Sequence, residues 1–128
     1  MATLGTRMLG NTGGQPPKVD SVSEHALPPI PLDHWTLTVV EVNFPAGSCS
    51  CPHSHPGFVV GYVLQGEVRF QSKGKAEKVY HAGQVFYEPP GSVHEVSANA
   101  STQHPARILV LRFAKPDASK LLQHKSHT

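Results

Sequence analysis

Residues 47–55 read Gly-Ser-Cys-Ser-Cys-Pro-His-Ser-His, and residues 83–94 read Gly-Gln-Val-Phe-Tyr-Glu-Pro-Pro-Gly-Ser-Val-His. Each stretch opens on a glycine, passes through proline and ends on histidine. Around them the text breaks into short runs rich in Val, Thr, Ile and aromatic residues. Those runs cover 35–44, 58–64, 67–72, 78–81, 84–88, 93–97 and 106–113. Turn residues separate them: Pro45-Ala46-Gly47, Gln65-Gly66, Lys73-Gly74, Ala82-Gly83 and Pro89-Pro90-Gly91. Such spacing is the mark of an all-β sandwich or barrel. Glycine at these strand ends supplies the positive φ that a tight hairpin demands.

The run at 58–64 is almost wholly apolar, as for a strand buried on both faces, whereas 67–72 alternates. No segment before Asp117 carries a helical period. Seven or eight short strands without crossover helices close most economically into an antiparallel barrel or jelly roll, which hides the strand edges. Residues 33–115 are assigned to that barrel. Residues 1–32, with Gly13-Gly14, Pro16-Pro17 and Pro28-Pro29-Ile30-Pro31, form a different kind of text. They are either a disordered leader or an extended arm that buries Val19, Val22, Leu27 and Ile30 on the barrel or on a partner subunit. Residues 116–128 are a polar tail.

With 128 residues the chain fits one domain of adequate core. The net charge is +2 and the eleven basic residues are scattered, so no stripe suited to nucleic acid or an anionic membrane is present. No apolar stretch approaches the roughly 20 residues that span a bilayer. No signal-like segment opens the chain, and the expectation is a soluble cytoplasmic protein. Cys49 and Cys51 are the only cysteines. One residue between them leaves too short a loop for an unstrained bridge, so both are read as free thiols.

The chemistry sits on histidine. On an extended backbone His53 and His55 project from one face, so both imidazoles can reach one ion. Neutral imidazole suits zinc, iron, copper or nickel. A rival site, Cys49-x-Cys51-x-His53-x-His55, fails on geometry. An extended strand advances about 3.3 Å per residue, which sets its outer pair about 20 Å apart. Zinc ligands sit only about 2 Å from the ion.

Gly47-(x5)-His53-x-His55 followed by Gly66 resembles the first motif of the cupin superfamily, and Gly83-(x5)-Pro89-x-Gly91-(x2)-His94 resembles the second. Asn99 stands one place late for the asparagine that ends the second motif. The likeness covers roughly residues 35–113 and implies a cupin barrel. It further implies that His53, His55 and His94 bind one divalent metal ion inside that barrel. The family's glutamate would follow His55 after three or four intervening residues, where this chain has Val59 and Val60. Three histidines without it resemble the iron sites of three-histidine cupin dioxygenases, and equally a catalytic zinc with an open position. Iron is favoured; zinc, manganese and nickel are the alternatives. Loss of a ligand is also how metal-free cupins arise.

Glu88 shares a strand face with Phe86, directly before the turn that leads to His94. Turned inward it serves as a general acid or base, or replaces the missing ligand; turned outward it is a rim carboxylate. Glu95, next to His94, points away. Tyr62 is either a core residue or a hydroxyl offered to substrate. Arg69, Arg107 and Arg112 alternate with apolar residues, and whichever faces inward can clamp a carboxylate. His25, His34, His81, His104, His124 and His127 are read as surface residues.

Three functions follow: an iron dioxygenase acting on a small organic substrate, a non-redox metal isomerase, lyase or dehydratase using Glu88, and a ligand-binding module. A small-molecule substrate and a homodimer are expected.

Overall fold

The computed structural model describes residues 14–115. Nine strands follow one another: β1 (Thr36–Phe44), β2 (Cys49–Ser50), β3 (His53–Ser54), β4 (Phe58–Gln65), β5 (Glu67–Ser72), β6 (Lys78–His81), β7 (Val85–Glu88), β8 (Val93–Asn99) and β9 (Ala106–Ala114). They pair antiparallel in two sheets. One has the order β1-β9-β4-β7; the other has the order β2-β8-β5-β6, with β3 also on β8. This is the all-β jelly roll expected from the turn spacing. Among the described residues no helix is long and apolar enough to cross a membrane.

Both sheets feed one core. Phe44, Val59, Val63, Phe86, Ile108 and Val110 come from the first sheet, and Val68 and Phe70 from the second. Each such side chain contributes about 1.5–3 kcal/mol on full burial. Strand β4 is apolar on both sides for a reason. Val59, Gly61 and Val63 face the core, while Phe58 turns outward to stack on Phe113, ring centroids 4.7 Å apart. Gly61 is required by Phe86: a Cβ there would lie 2.0 Å from that ring. A backbone without a side chain lets the aromatic ring fill the floor of the barrel.

The first strands of the second sheet are one strand interrupted. Ser50 faces Ser97 and His53 faces His94 on β8, a single unbroken register. Between them stands Pro52, which has no N–H to give the ladder.

On its other side β8 carries a bulge. Gln71 faces Val96 but Ser72 faces His94, so Glu95 is an extra residue. The bulge puts both His94 and Ser97 inside, three positions apart, where strict alternation would point them to opposite faces. It also accounts for Asn99. One inserted residue delays the asparagine by one place relative to the cupin pattern.

Asn99 is buried at 5 % exposure and ties two loops together. Its Nδ2 donates to the carbonyls of Phe44 (3.1 Å), Pro45 (3.2 Å) and His104 (2.8 Å), and its Oδ1 accepts from the Ser101 N–H at 2.8 Å.

The N-terminal segment from residue 14 has no strand or helix. Residues of it, among them Val22, Leu27 and Leu32, line a groove against Phe58, Val60, Tyr87 and Phe113 on the outer face of the first sheet. His25 is exposed, as expected, and its ring lies tilted against Tyr87 with ring centroids 4.8 Å apart. Val19, Val22 and Leu27 nevertheless stay exposed at 90 %, 62 % and 49 %, and only Ile30 of the four expected to be buried is half-buried; residues 1–13 and the tail 116–128 lie outside the described residues.

Replacing Asn99 by alanine strips these carbonyls and the Ser101 N–H of their partner. We expect a loss of about 2–3 kcal/mol in urea unfolding. An unchanged midpoint would show that the loops hold without it.

Candidate metal centre

His53 and His94 are cross-strand partners, and His55 follows on the same side of the chain. One ligand nitrogen from each of the three lies within 4.8 Å of the others. The ring centroids stand 4.8, 5.2 and 5.6 Å apart, with the planes 87°, 89° and 86° to one another. Three near-perpendicular imidazoles this close together could hold one metal ion. Cys49 and Cys51 are exposed free thiols outside this group, as the spacing argument required.

The electrostatics agree. Burial, then the neighbouring His53 ring, then the Arg112 guanidinium lower the His55 pKa to about 4. Burial, then His53 and His55, lower His94 to about 4. Both rings are therefore neutral at pH 7 and keep a lone pair for a cation. His53 is oriented by its own backbone. Its Nδ1 lies 2.8 Å from the Cys51 carbonyl, which can only accept, so Nδ1 carries the proton and Nε2 is left free. His94 Nδ1 is buried with no hydrogen-bond partner. The donor set fits a divalent ion.

The three rings form one wall of a cavity of about 210 Å³. Its other walls are largely apolar, with Val40, Val42, Phe44, Val59, Phe70, Phe86, Ile108 and Val110. Polar exceptions are Ser50, Ser97 and Arg112. Val59, where the family pattern has its glutamate, is 1 % exposed and faces the rings.

Glu88 points inward at 4 % exposure. In the pairing of β4 with β7 it stands directly opposite Val59. The carboxylate missing from β4 has a counterpart one strand away. Glu88 Oε2 touches His94 Nε2, and Oε1 lies 3.9 Å from His55 Nε2. It does not join the three converging nitrogens; it lines a second cavity of about 500 Å³ behind His94, with Tyr80, Ser72 and Lys78. Burial raises its pKa to about 8. A protonated carboxyl against a neutral ring is not an ion pair. The Tyr80 phenol is also raised, by burial and then by Glu88.

The other candidates separate cleanly. Tyr62 lies on the outer face of β4 at 37 % exposure and does not line the cavity. Glu95 is exposed on its bulge. Arg69 pairs with Glu77 at 3.1 Å, and Arg107 with Glu41 at 2.8 Å, both partly open to solvent. Only Arg112 of the three reaches the cavity. Ser50 and Ser97 were not singled out by sequence, and only the bulge in β8 could have revealed Ser97.

Fold and site together define a small β-barrel with a three-imidazole centre in its mouth. The Cupin domain family model matches residues 40–112, more than half of the chain, and the protein belongs to that family. No curated protein matches it. Among solved structures, a cupin-like protein from Thermotoga maritima is 28 % identical with a TM-score of 0.55; the match covers 59 % of this chain and 56 % of that one. The DMSP lyase DddQ from Ruegeria pomeroyi is 26 % identical with a TM-score of 0.57, covering 64 % of this chain and 40 % of that one. A predicted oxalate decarboxylase from Thermotoga maritima is 26 % identical with a TM-score of 0.52, covering 61 % and 65 %. The chain thus spans less than two thirds of the length of each of these three.

The shifted groups fix the pH behaviour of the metal-free protein. Glu88 rises from 4.5 to about 8 on folding, so between those values the folded chain keeps a proton that the unfolded chain has lost. Stability falls as pH rises through that window. His55 and His94 drop from 6.5 to about 4 and act oppositely, costing stability as pH falls below 6.5. Between pH 6.5 and 8 Glu88 acts alone among the three. Thermal midpoints in chelator should decline across this interval, and Glu88→Gln should flatten the decline. A wild-type midpoint that rises there would contradict a buried, protonated Glu88.

Proposed function

We propose that the chain is a metal-dependent cupin enzyme acting on a small organic molecule, with His53, His55 and His94 holding one divalent ion. In the reading we favour the ion is iron and the enzyme a dioxygenase-type oxidoreductase. The observation that carries it is the convergence of three nitrogens, with no carboxylate among them, on a cavity whose walls are otherwise largely apolar. Iron in that position would supply redox chemistry with dioxygen at coordination places the protein leaves open. The chain itself does the rest. Its apolar walls limit water and select for a small organic body. The Cys51 carbonyl fixes the tautomer of His53. Glu88 holds a proton at its carboxyl beside His94 and can pass it on at neutral pH.

A second reading, a non-redox lyase or isomerase with Glu88 as acid and base, is supported by a different observation. Glu88 is buried against two of the three rings, and two neighbours above 25 % identity are described as a lyase and a predicted decarboxylase. The expectation of a homodimer belongs here as well. Edge strand β1 exposes Leu37 and Val39, at 51 % and 54 %, an apolar surface suited to a second copy.

Elemental analysis of protein purified without added metal, followed by oxygen-uptake assays across candidate substrates, tests the first reading. Iron with oxygen uptake is expected, lost in His53→Ala, His55→Ala and His94→Ala. Zinc or manganese with no uptake would favour the second reading. A chain that retains no iron, zinc, manganese or nickel after reconstitution would remove both. Glu88→Gln should retain the ion yet lose about 10²–10⁴-fold in turnover; full activity would remove Glu88 from the chemistry. Light scattering should give twice the chain mass, reduced to a single mass in Leu37→Glu/Val39→Glu.

A further inference from the structure

Strand β9 sends Ala106, Ile108 and Val110 into the barrel, all buried, and Arg112 is the next residue in that row. Its cross-strand neighbour on β4 is Val59, itself turned to the three histidines. Arg112 therefore enters the same cavity as His53, His55 and His94. Its charge reaches His55, where it helps to keep that ring neutral.

What sets Arg112 apart is its lack of a partner. Arg69 and Arg107 each have a carboxylate within 3.1 Å, and Arg107 Nε also donates to Gln65 Oε1 at 3.0 Å. Arg112 has neither an ion pair nor a hydrogen bond among the described residues, and its Nε is buried with nothing to donate to. Arg112 is half-buried, and a buried guanidinium N–H without an acceptor disfavours the folded state unless an anion joins it. The cavity holds no acid that could fill this role: Glu88 lines the other side of His94.

We propose that Arg112 is the anion clamp of this cavity and that the ligand it accepts is a small monocarboxylate. Resting on the reading of the cavity as an active site, this assigns the class of its substrate. A single cation and no lysine line the walls, which matches one negative charge better than a phosphate ester. The volume of about 210 Å³ equals about seven waters, so the acid has roughly ten non-hydrogen atoms or fewer. Valine, isoleucine and phenylalanine side chains face what lies between its carboxylate and the three histidines. The body of the acid is accordingly apolar.

The test is calorimetric titration of butyrate and benzoate, with butyramide and benzamide as neutral isosteres, into the full chain in carboxylate-free buffer. Metal-free and zinc-loaded protein are titrated separately. The expected result is that carboxylates bind at least roughly tenfold tighter than their amides in the metal-free protein. Arg112→Met should abolish that preference while leaving amide binding and zinc content unchanged. Arg112→Lys keeps the charge without the fork and should retain part of the preference. If Arg112→Met does not fold, the wild-type comparison of acid with amide still decides. Equal binding of acid and amide, or an acid preference that survives Arg112→Met, overturns the proposal; so does a preference seen only with zinc, which would place the acid on the ion alone. Because the metal-free arm needs no ion, a chain that binds no metal but prefers acids through Arg112 would sink the metal reading and leave the clamp standing.

Discussion

Strand β8 pairs with β2 and β3 along one edge and with β5 along the other, and this double pairing places His94 opposite both His53 and Ser72. A slip of one residue would turn His94 to solvent and bring Glu95 inside, since side chains alternate with a period of two. The register is held at both ends. The Asn99 side chain bonds the loops that flank β1 and β9, and the turn after Pro89 is closed by Ser92 Oγ donating to the Pro89 carbonyl at 2.6 Å. Between these fixed points the bulge at Glu95 absorbs one extra residue. The metal centre is a consequence of how one strand is pinned.

Val59 and Glu88 stand directly opposite one another on β4 and β7. Directly opposed residues on antiparallel strands have Cβ atoms only about 4.5–5.5 Å apart. A carboxylate on β7 is thus within reach of the same imidazoles as one at position 59 would be, in a different environment. At 88 it sits behind His94 in the second cavity, where burial keeps it protonated. Val59 forms apolar wall where the cupin motif has a carboxylate, and Glu88 across from it holds a proton.

How far the sequence could be read followed from where its pattern was singular. His53, His55 and His94 stand among turn glycines and prolines whose spacing admits few folds, so both the barrel and the meeting of the three imidazoles were legible. The phase of β9 was not. Leu109, Leu111 and Phe113 are as apolar as Ile108 and Val110, because the outer face of that sheet carries its own layer of Phe58, Tyr87 and Phe113 beneath the N-terminal arm. Arg107 and Arg112 lie five apart and must point opposite ways on a regular strand, yet with both faces greasy nothing in the text says which points in. Tyr62 suffered the same ambiguity and proved to face outward. Glu88 could be placed on the face of Phe86, but its burial depended on a neighbour, Val59, that only pairing brings alongside. The late Asn99 read as an imperfection of the motif until the bulge supplied the missing residue.

Several groups around the histidines break the local rules of a barrel interior. Elsewhere the core is aliphatic and aromatic, with Val63 and Val68 fully enclosed. Around the small cavity stand two imidazoles held neutral and a guanidinium without a counter-ion, and behind His94 a carboxyl is held protonated. Each disfavours the folded state, and a core of this size tolerates such a concentration only because the surrounding sheets over-determine the backbone. A cation meeting the imidazoles and an anion meeting the guanidinium would relieve the cost from opposite sides of the same cavity. Whatever binds to the folded chain alone stabilises it by mass action. The groups that make the empty barrel less stable are therefore the ones that define what it is shaped to hold.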